Sequence, residues 1–159
     1  MRSKLFIFVL IVLTAISVFL PAAASSATEL SIPEIKGKAG LSINVPIMID
    51  TVDNLAGVKI VLQYDKNLLT YKGSGRTKQT SSLMHIVNDK KPGTLVIVMA
   101  GARGIKGENF SIFSLTFEVK KGLKQEIKTD FKITEVQLMS DQLKNIKHTV
   151  TIHPIVLKP

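Results

Sequence analysis

Strict alternation of apolar and polar residues is the feature that most limits what this chain can fold into. Leu41, Ile43, Val45, Ile47 and Ile49 are apolar, with Ser42, Asn44 and Pro46 between them. Period two over this length makes a strand with one buried face. A second set, Val58, Ile60, Leu62 and Tyr64, alternates with Lys59, Val61 and Gln63. A third, Phe113, Leu115, Phe117 and Val119, alternates with Ser114, Thr116 and Glu118. Beyond the N-terminal segment, no stretch carries a long apolar stripe at helical spacing.

Other segments extend the pattern. In TLVIVMA, Leu95, Ile97 and Met99 share one face, but Val96 and Val98 make the opposite face apolar too, so something should cover it. Ile127 to Leu138 and Thr149 to Val156 read as further strands, with Phe131, Ile133, Val136, Leu138, Val150 and Ile152 as core candidates. Leu83 to Val87 fits a short strand or a helical turn. Pro46 cannot donate to a ladder, which suits an edge strand or a bulge. Turn chemistry at Asp50 to Gly57 and Asn88 to Gly93, a polar loop over Lys72 to Ser82, and a mobile glycine-rich loop at AGARGIKG separate the strands. About nine short strands with such spacing predict an all-β fold, an antiparallel β-sandwich with jelly-roll topology.

The first residues have a different character. Arg2 and Lys4 precede an uncharged run from Leu5 to Leu20, then Pro21 and the small residues AAASSA. This is the layout of a secretory signal peptide, with cleavage after Ala24 or Ala27. The run falls short of the roughly 20 residues that span a bilayer, and no basic stop follows it. The expected organisation is a signal peptide over 1–27 and one domain over 28–159, secreted and with no membrane span after cleavage. Losing Arg2 and Lys4 lowers the formal charge from +9 to +7.

Composition removes many functions. The chain has no cysteine, which excludes disulfides, thiolate metal sites and cysteine nucleophiles. His85, His148 and His153 have no metal-ligand spacing and read as surface or strand-end residues. Asp50, Asp53 and Asp65 lie near strand ends, where calcium binding or acid–base work is conceivable and turn formation is the simpler role. GARGIKG lacks the Gly-Lys-Ser or Gly-Lys-Thr and the helix of a phosphate cradle, and no nucleophile elbow is present. The lysines are scattered along an exported chain, which argues for solubility and against nucleic-acid binding. There is no Trp, and of the two tyrosines only Tyr71 falls off the buried parity, leaving little aromatic platform for a sugar.

Four segments in order, KGKAGLSINVPIMI, DNLAGVKIVLQYDKNLLTYKG, GTLVIVMAGARG and FSLTFEVK, resemble the cohesin domain. Gly37, Gly40, Pro46, Gly57, Tyr64, Asp65, Leu68 and Leu69 fit that family's turns and strands, and the likeness spans roughly residues 30 to 153. It implies a nine-stranded jelly roll without catalytic residues or cofactor. One flat face would bind a dockerin module that carries the calcium, within extracellular polysaccharide-degrading assemblies. Carried over by position, that face would use Gly57, Lys59, Val61, Gln63, Val96 and Val98, with Arg103 and Gly104 from the following loop. Where dockerin-binding members carry Asn and, two residues later, Asp, this chain has Gly57 and Lys59. The resemblance therefore implies that the usual dockerins meet a changed surface. A carbohydrate-binding sandwich that takes a polysaccharide is the rival reading, because this architecture serves both uses.

Overall fold

The computed structural model describes residues 27–159, so the expected signal peptide lies, but for Ala27, outside the described residues. Ten strands follow in order: β1 (Thr28–Ile32), β2 (Ile35–Lys38), β3 (Ser42–Gln63), β4 (Leu69–Arg76), β5 (Met84–Asn88), β6 (Thr94–Val119), β7 (Ile127–Thr129), β8 (Lys132–Met139), β9 (His148–Ile152) and β10 (Ile155–Lys158). Among the described residues no helix is long and apolar enough to cross a membrane.

Strands β3 and β6, of 22 and 26 residues, form the frame. They pair antiparallel almost throughout, from Ser42 with Glu118 to Gln63 with Thr94. The first half of β3 also holds β1, and the second half of β6 holds β4, which gives a layer ordered β4-β6-β3-β1-β9. The second half of β3 holds β8 and the first half of β6 holds β5, which gives the layer β8-β3-β6-β5. Ile43, Val45, Ile47, Leu115 and Phe117 of the first layer share one buried core with Ile60, Leu62, Leu95, Ile97 and Leu138 of the second. The all-β jelly-roll sandwich expected from the alternation is the observed fold.

Several details depart from the sequence reading. Asp50 to Gly57 is not a turn and AGARGIKG is not a free loop. Both belong to the long strands, where Thr51 pairs with Glu108, Val52 with Gly107 and Leu55 with Ile105. Breaks in register between Val52 and Leu55 and between Leu55 and Gly57 let β3 pass from one layer to the other, and bulged backbone of this kind takes turn-like residues. Pro46 is paired with Ser114 of β6, while β1 reaches only as far as Met48 on the other side, so β3 is interior and Pro46 lies just past the end of β1.

The termini introduce parallel pairing that alternation does not reveal. β1 runs parallel to β9, and β2 parallel to β10. Both lines of strand break after the same length, at Pro33 and Pro154, where a proline cannot continue the ladder. His153 N donates to Ile32 O at 2.9 Å and Ile35 N to Pro154 O at 3.3 Å across this double step. Thr149 to Val156 is thus two strands. β2, β10 and β7 then form a second, three-stranded sheet with β10 in the centre. It closes against the main core at Gly37, where a Cβ would stand 2.8 Å from Ile43 Cγ2 and 2.9 Å from Leu157 Cδ2. Leu41 and Val150, placed in the core by pattern, are exposed at 57% and 40%: Leu41 precedes the start of β3, and Val150 lies on β9, the outermost strand of its layer.

Candidate functional site

In the β8-β3-β6-β5 layer, Val58, Ile60, Leu62, Leu95, Ile97 and Met99 point into the core. The pleat then sends their neighbours outward. Register sets these outer residues in rows. Met139, Gly57, Ala100 and Met84 form one; Gln137, Lys59, Val98 and Ile86 the next; Glu135, Val61, Val96 and Asn88 the third. Gln63 and Thr94 lie beyond them. Six of the expected site residues, Gly57, Lys59, Val61, Gln63, Val96 and Val98, therefore share one continuous face.

The face is apolar around a charged centre. Val61, Val96 and Val98 are partly exposed, and Met84 and Ile86 on β5 are exposed at 57% and 53%. Inside it, Lys59 Nζ donates to Glu135 Oε1 at 2.7 Å. The positive charge at Lys59 thus arrives with its own carboxylate on the neighbouring strand. Gly57 has a packing reason as well, since a Cβ there would stand 3.3 Å from Met139 Cβ.

Arg103 and Gly104 sit at the rim. Ala100 pairs with Gly57 and Ile105 with Leu55, so residues 101–104 bulge opposite Ala56. Arg103 is exposed there. Gly104 is held by the bend, because any Cβ would run into the Asn54 side chain. Asn54 in turn donates to Asp141 Oδ1 at 2.7 Å.

Sequence reasoning missed β5 and β8 as contributors. Met84 and Ile86 carry no clear signal in the sequence, because a five-residue segment after a polar loop has too few positions to show a period. Glu135, Gln137 and Met139 belong to a strand whose register slips between Val61 and Leu62, which blurs its alternation.

The other candidates do not converge. Asp50 accepts from Glu29 N at 2.7 Å, Asp53 pairs with Lys106 at 2.8 Å, and Asp65 accepts from Asn67 N at 2.8 Å. Each carboxylate serves its own turn or pair, and among the described residues no three His, Cys, Asp or Glu side chains gather as a metal site. His85, next to the start of β5, is half-buried. Its Nε2 lies 2.8 Å from Ser74 Oγ and its ring meets Phe113 edge-on at 5.5 Å. Burial, and then the nearby Arg76 charge, hold its pKa below the usual histidine value. Tyr64 and Tyr71 pack edge-on against Phe117, with centroids at 5.0 and 5.7 Å, and burial raises the Tyr71 pKa.

The model of the Cohesin domain family matches residues 28–155. No curated protein matches the chain. Among solved structures, the sixth cohesin of scaffoldin B from Acetivibrio cellulolyticus, in complex with a Cel5 dockerin mutant, is similar at 17% identity and a TM-score of 0.73, over 84% of this chain and 99% of that one. A non-cellulosomal cohesin from the hyperthermophilic archaeon Archaeoglobus fulgidus is 18% identical with a TM-score of 0.67, over 84% and 91%. The cohesin of the Coh-OlpC–Doc435 complex from Clostridium thermocellum is 13% identical with a TM-score of 0.70, over 85% and 97%. At such identities the structures establish a shared fold. With the family match spanning nearly every described residue, the chain belongs to the cohesin domain family.

Proposed function

We propose that this cohesin is a non-catalytic, exported interaction module that captures a dockerin-type partner on the outer face of the β8-β3-β6-β5 layer. The observation that carries the reading is the apolar surface of Val61, Val96, Val98, Met84 and Ile86, presented by strands whose other side is core. Similar cohesins are known in complex with dockerins. Export rests on the signal-like segment over residues 1–27, and calcium in the complex would be carried by the partner.

Four strands about 4.8 Å apart and seven residues of about 3.3 Å each give a plane of roughly 20 by 20 Å. That is about half of the roughly 800 Å² that a standard interface buries per partner, so a partner centred on this face must also engage the surface around it, the rim at Arg103 included. The Lys59–Glu135 pair lies within the apolar rows, and a partner that desolvates it must supply both an acceptor for Lys59 and a donor for Glu135. This requirement selects against dockerins built to meet a lone carboxylate at position 59. Sugar stacking has less support, because both tyrosines are committed to Phe117.

Titration calorimetry with calcium-loaded dockerin modules from the same organism tests the proposal. Saturable binding that a chelator abolishes, and that Val98→Asp weakens at least about tenfold, is the expected result. A dockerin that binds Val98→Asp as tightly as the parent removes this face from the account.

A further inference from the structure

Among the described residues, one buried side-chain nitrogen or oxygen has no hydrogen-bond partner, Nδ1 of His85. The rest of the ring is well placed. β5 sends Met84 and Ile86 out to the docking face and His85 the opposite way, into the gap between the two layers. There Nε2 lies 2.8 Å from Ser74 Oγ of β4, and the ring meets Phe113 of β6 edge-on. The contact with Ser74 crosses from one layer to the other, since β4 and β5 each pair with β6 and not with one another.

Little else holds β5 in position. It is five residues long and pairs only with β6, so its other edge is free. The side-chain hydrogen bonds that tie residues 81–88 to β4 are His85 with Ser74 and Arg76 Nη1 donating to Ser81 O at 2.9 Å and to Leu83 O at 2.8 Å. The same surroundings suit a neutral imidazole and oppose a charged one. From β4, the Arg76 guanidinium acts on His85, and the Tyr71 phenol bonds Ser74. From β6, Phe113 offers only its ring. Asp89, just after β5, acts on Tyr71, and among the described residues no carboxylate bonds His85. Protonation would leave an N–H on Nδ1 with nothing to accept it, inside the protein and beside a second cation. A buried charge without a partner is costly, and moving the group into water relieves it. Burial and the Arg76 charge hold the pKa below its ordinary 6.5, so the ring is neutral at neutral pH and charged only in acid.

We propose that His85 is a latch that couples the docking face to pH: the neutral ring holds β5 against β4, and the charged ring swings out to solvent and frees β5, removing Met84 and Ile86 from the docking surface. The inference rests on the docking reading above. A partner seated on Met84 and Ile86 keeps β5 in place and so opposes protonation of His85, and by the same linkage acid opposes the partner. Affinity should fall by up to about tenfold for each pH unit below the titration midpoint of His85, in proportion to the fraction of molecules with β5 in place.

NMR of the free protein tests the latch without a partner. From about pH 7.5 to about 4.5, the Met84 and Ile86 methyl signals should move with the same midpoint as the His85 ring protons, while those of Val61 and Val96 stay in place. Arg76→Gln, which removes the neighbouring cation, should carry both midpoints together to higher pH. Midpoints that separate, Ile86 signals that ignore the titration, or a ring that stays neutral throughout would overturn the latch. Titration calorimetry with calcium-loaded dockerin modules from the same organism tests the coupling. Between about pH 7.5 and 5.0 the parent should lose at least about fivefold more affinity than His85→Gln, which keeps a hydrogen-bonding group and cannot be charged. Equal loss in the two would assign the pH dependence to the partner and overturn the coupling. Absence of binding by both at neutral pH would refute the docking reading, while the NMR titration still decides the latch.

Discussion

Residues 42–49 and 57–63 of β3 follow the same inward rhythm and carry opposite outer faces. The first half buries Ile43, Val45, Ile47 and Ile49 and turns Ser42, Asn44, Pro46 and Met48 outward, beside Ser114, Thr116 and Glu118 of β6. The second half buries Val58, Ile60 and Leu62 and turns out Lys59 and Val61, beside Val96 and Val98. One strand thus supplies core to both layers but leaves one layer finished mainly with polar groups, Pro46 and Met48 apart, and the other with an apolar surface around one ion pair. The inner parity reports the fold. The outer parity distinguishes a surface that meets water from one suited to a partner.

The comparison makes its largest claim about the inner faces, which should be equally costly to hollow out. Ile47→Ala in the first half and Ile60→Ala in the second should each lower unfolding free energy by about 2–5 kcal/mol in urea titrations. Both are fully buried. A small effect at Ile60 alone would mean that the second layer is not packed as core. The outer faces should then separate. Val98→Asp should weaken dockerin capture at least about tenfold with little change in thermal stability, whereas Asn44→Asp on the first layer should leave capture unaltered. A large loss of melting temperature in Val98→Asp would place Val98 in the core.

A smaller effect concerns β5, which brings Met84 and Ile86 to the face while His85 faces inward. The folded-state pKa of His85 lies below its ordinary value of 6.5, chiefly through burial. The unfolded chain therefore binds a proton first on acidification, and stability should fall as pH drops from 6.5 toward the lower folded value. Urea midpoints at a series of pH values should show this slope, and His85→Gln should flatten it. The smallest effect is expected at the Lys59–Glu135 pair, whose side chains are 41% and 39% exposed. A double-mutant cycle with Lys59→Met and Glu135→Gln should give a coupling within about 1 kcal/mol. A larger value would mark the pair as a structural element of the layer as well as a feature of its surface.

Much of this arrangement is legible in the sequence because β parity needs only local pattern. The inward residues of β3 and β6, and the unsatisfied apolar face at Val96 and Val98, follow from alternation alone. The bends at Asp50–Gly57 and Ala100–Gly107 do not, because a bulge that carries a strand between layers uses the same Asp, Asn and Gly as a turn that ends it. The parallel pairing of β1 with β9 and of β2 with β10 joins opposite ends of the chain, and no local period encodes it. The same holds for Lys36, Lys38, Lys128 and Lys158, which come together only when β2, β7 and β10 assemble. Glu135 beside Lys59 is a further case: residue 59 reads as a reversed charge in sequence and proves to be half of a pair in space.

The most direct test is methyl NMR of the protein during titration with a calcium-loaded dockerin that it binds. The account predicts that the methyl signals of Val61, Ile86, Val96 and Val98 shift or broaden first, while those of Val45 and Leu115 in the other layer stay in place. Perturbation centred on Met48 and Thr116, with the β8-β3-β6-β5 face silent, would contradict it.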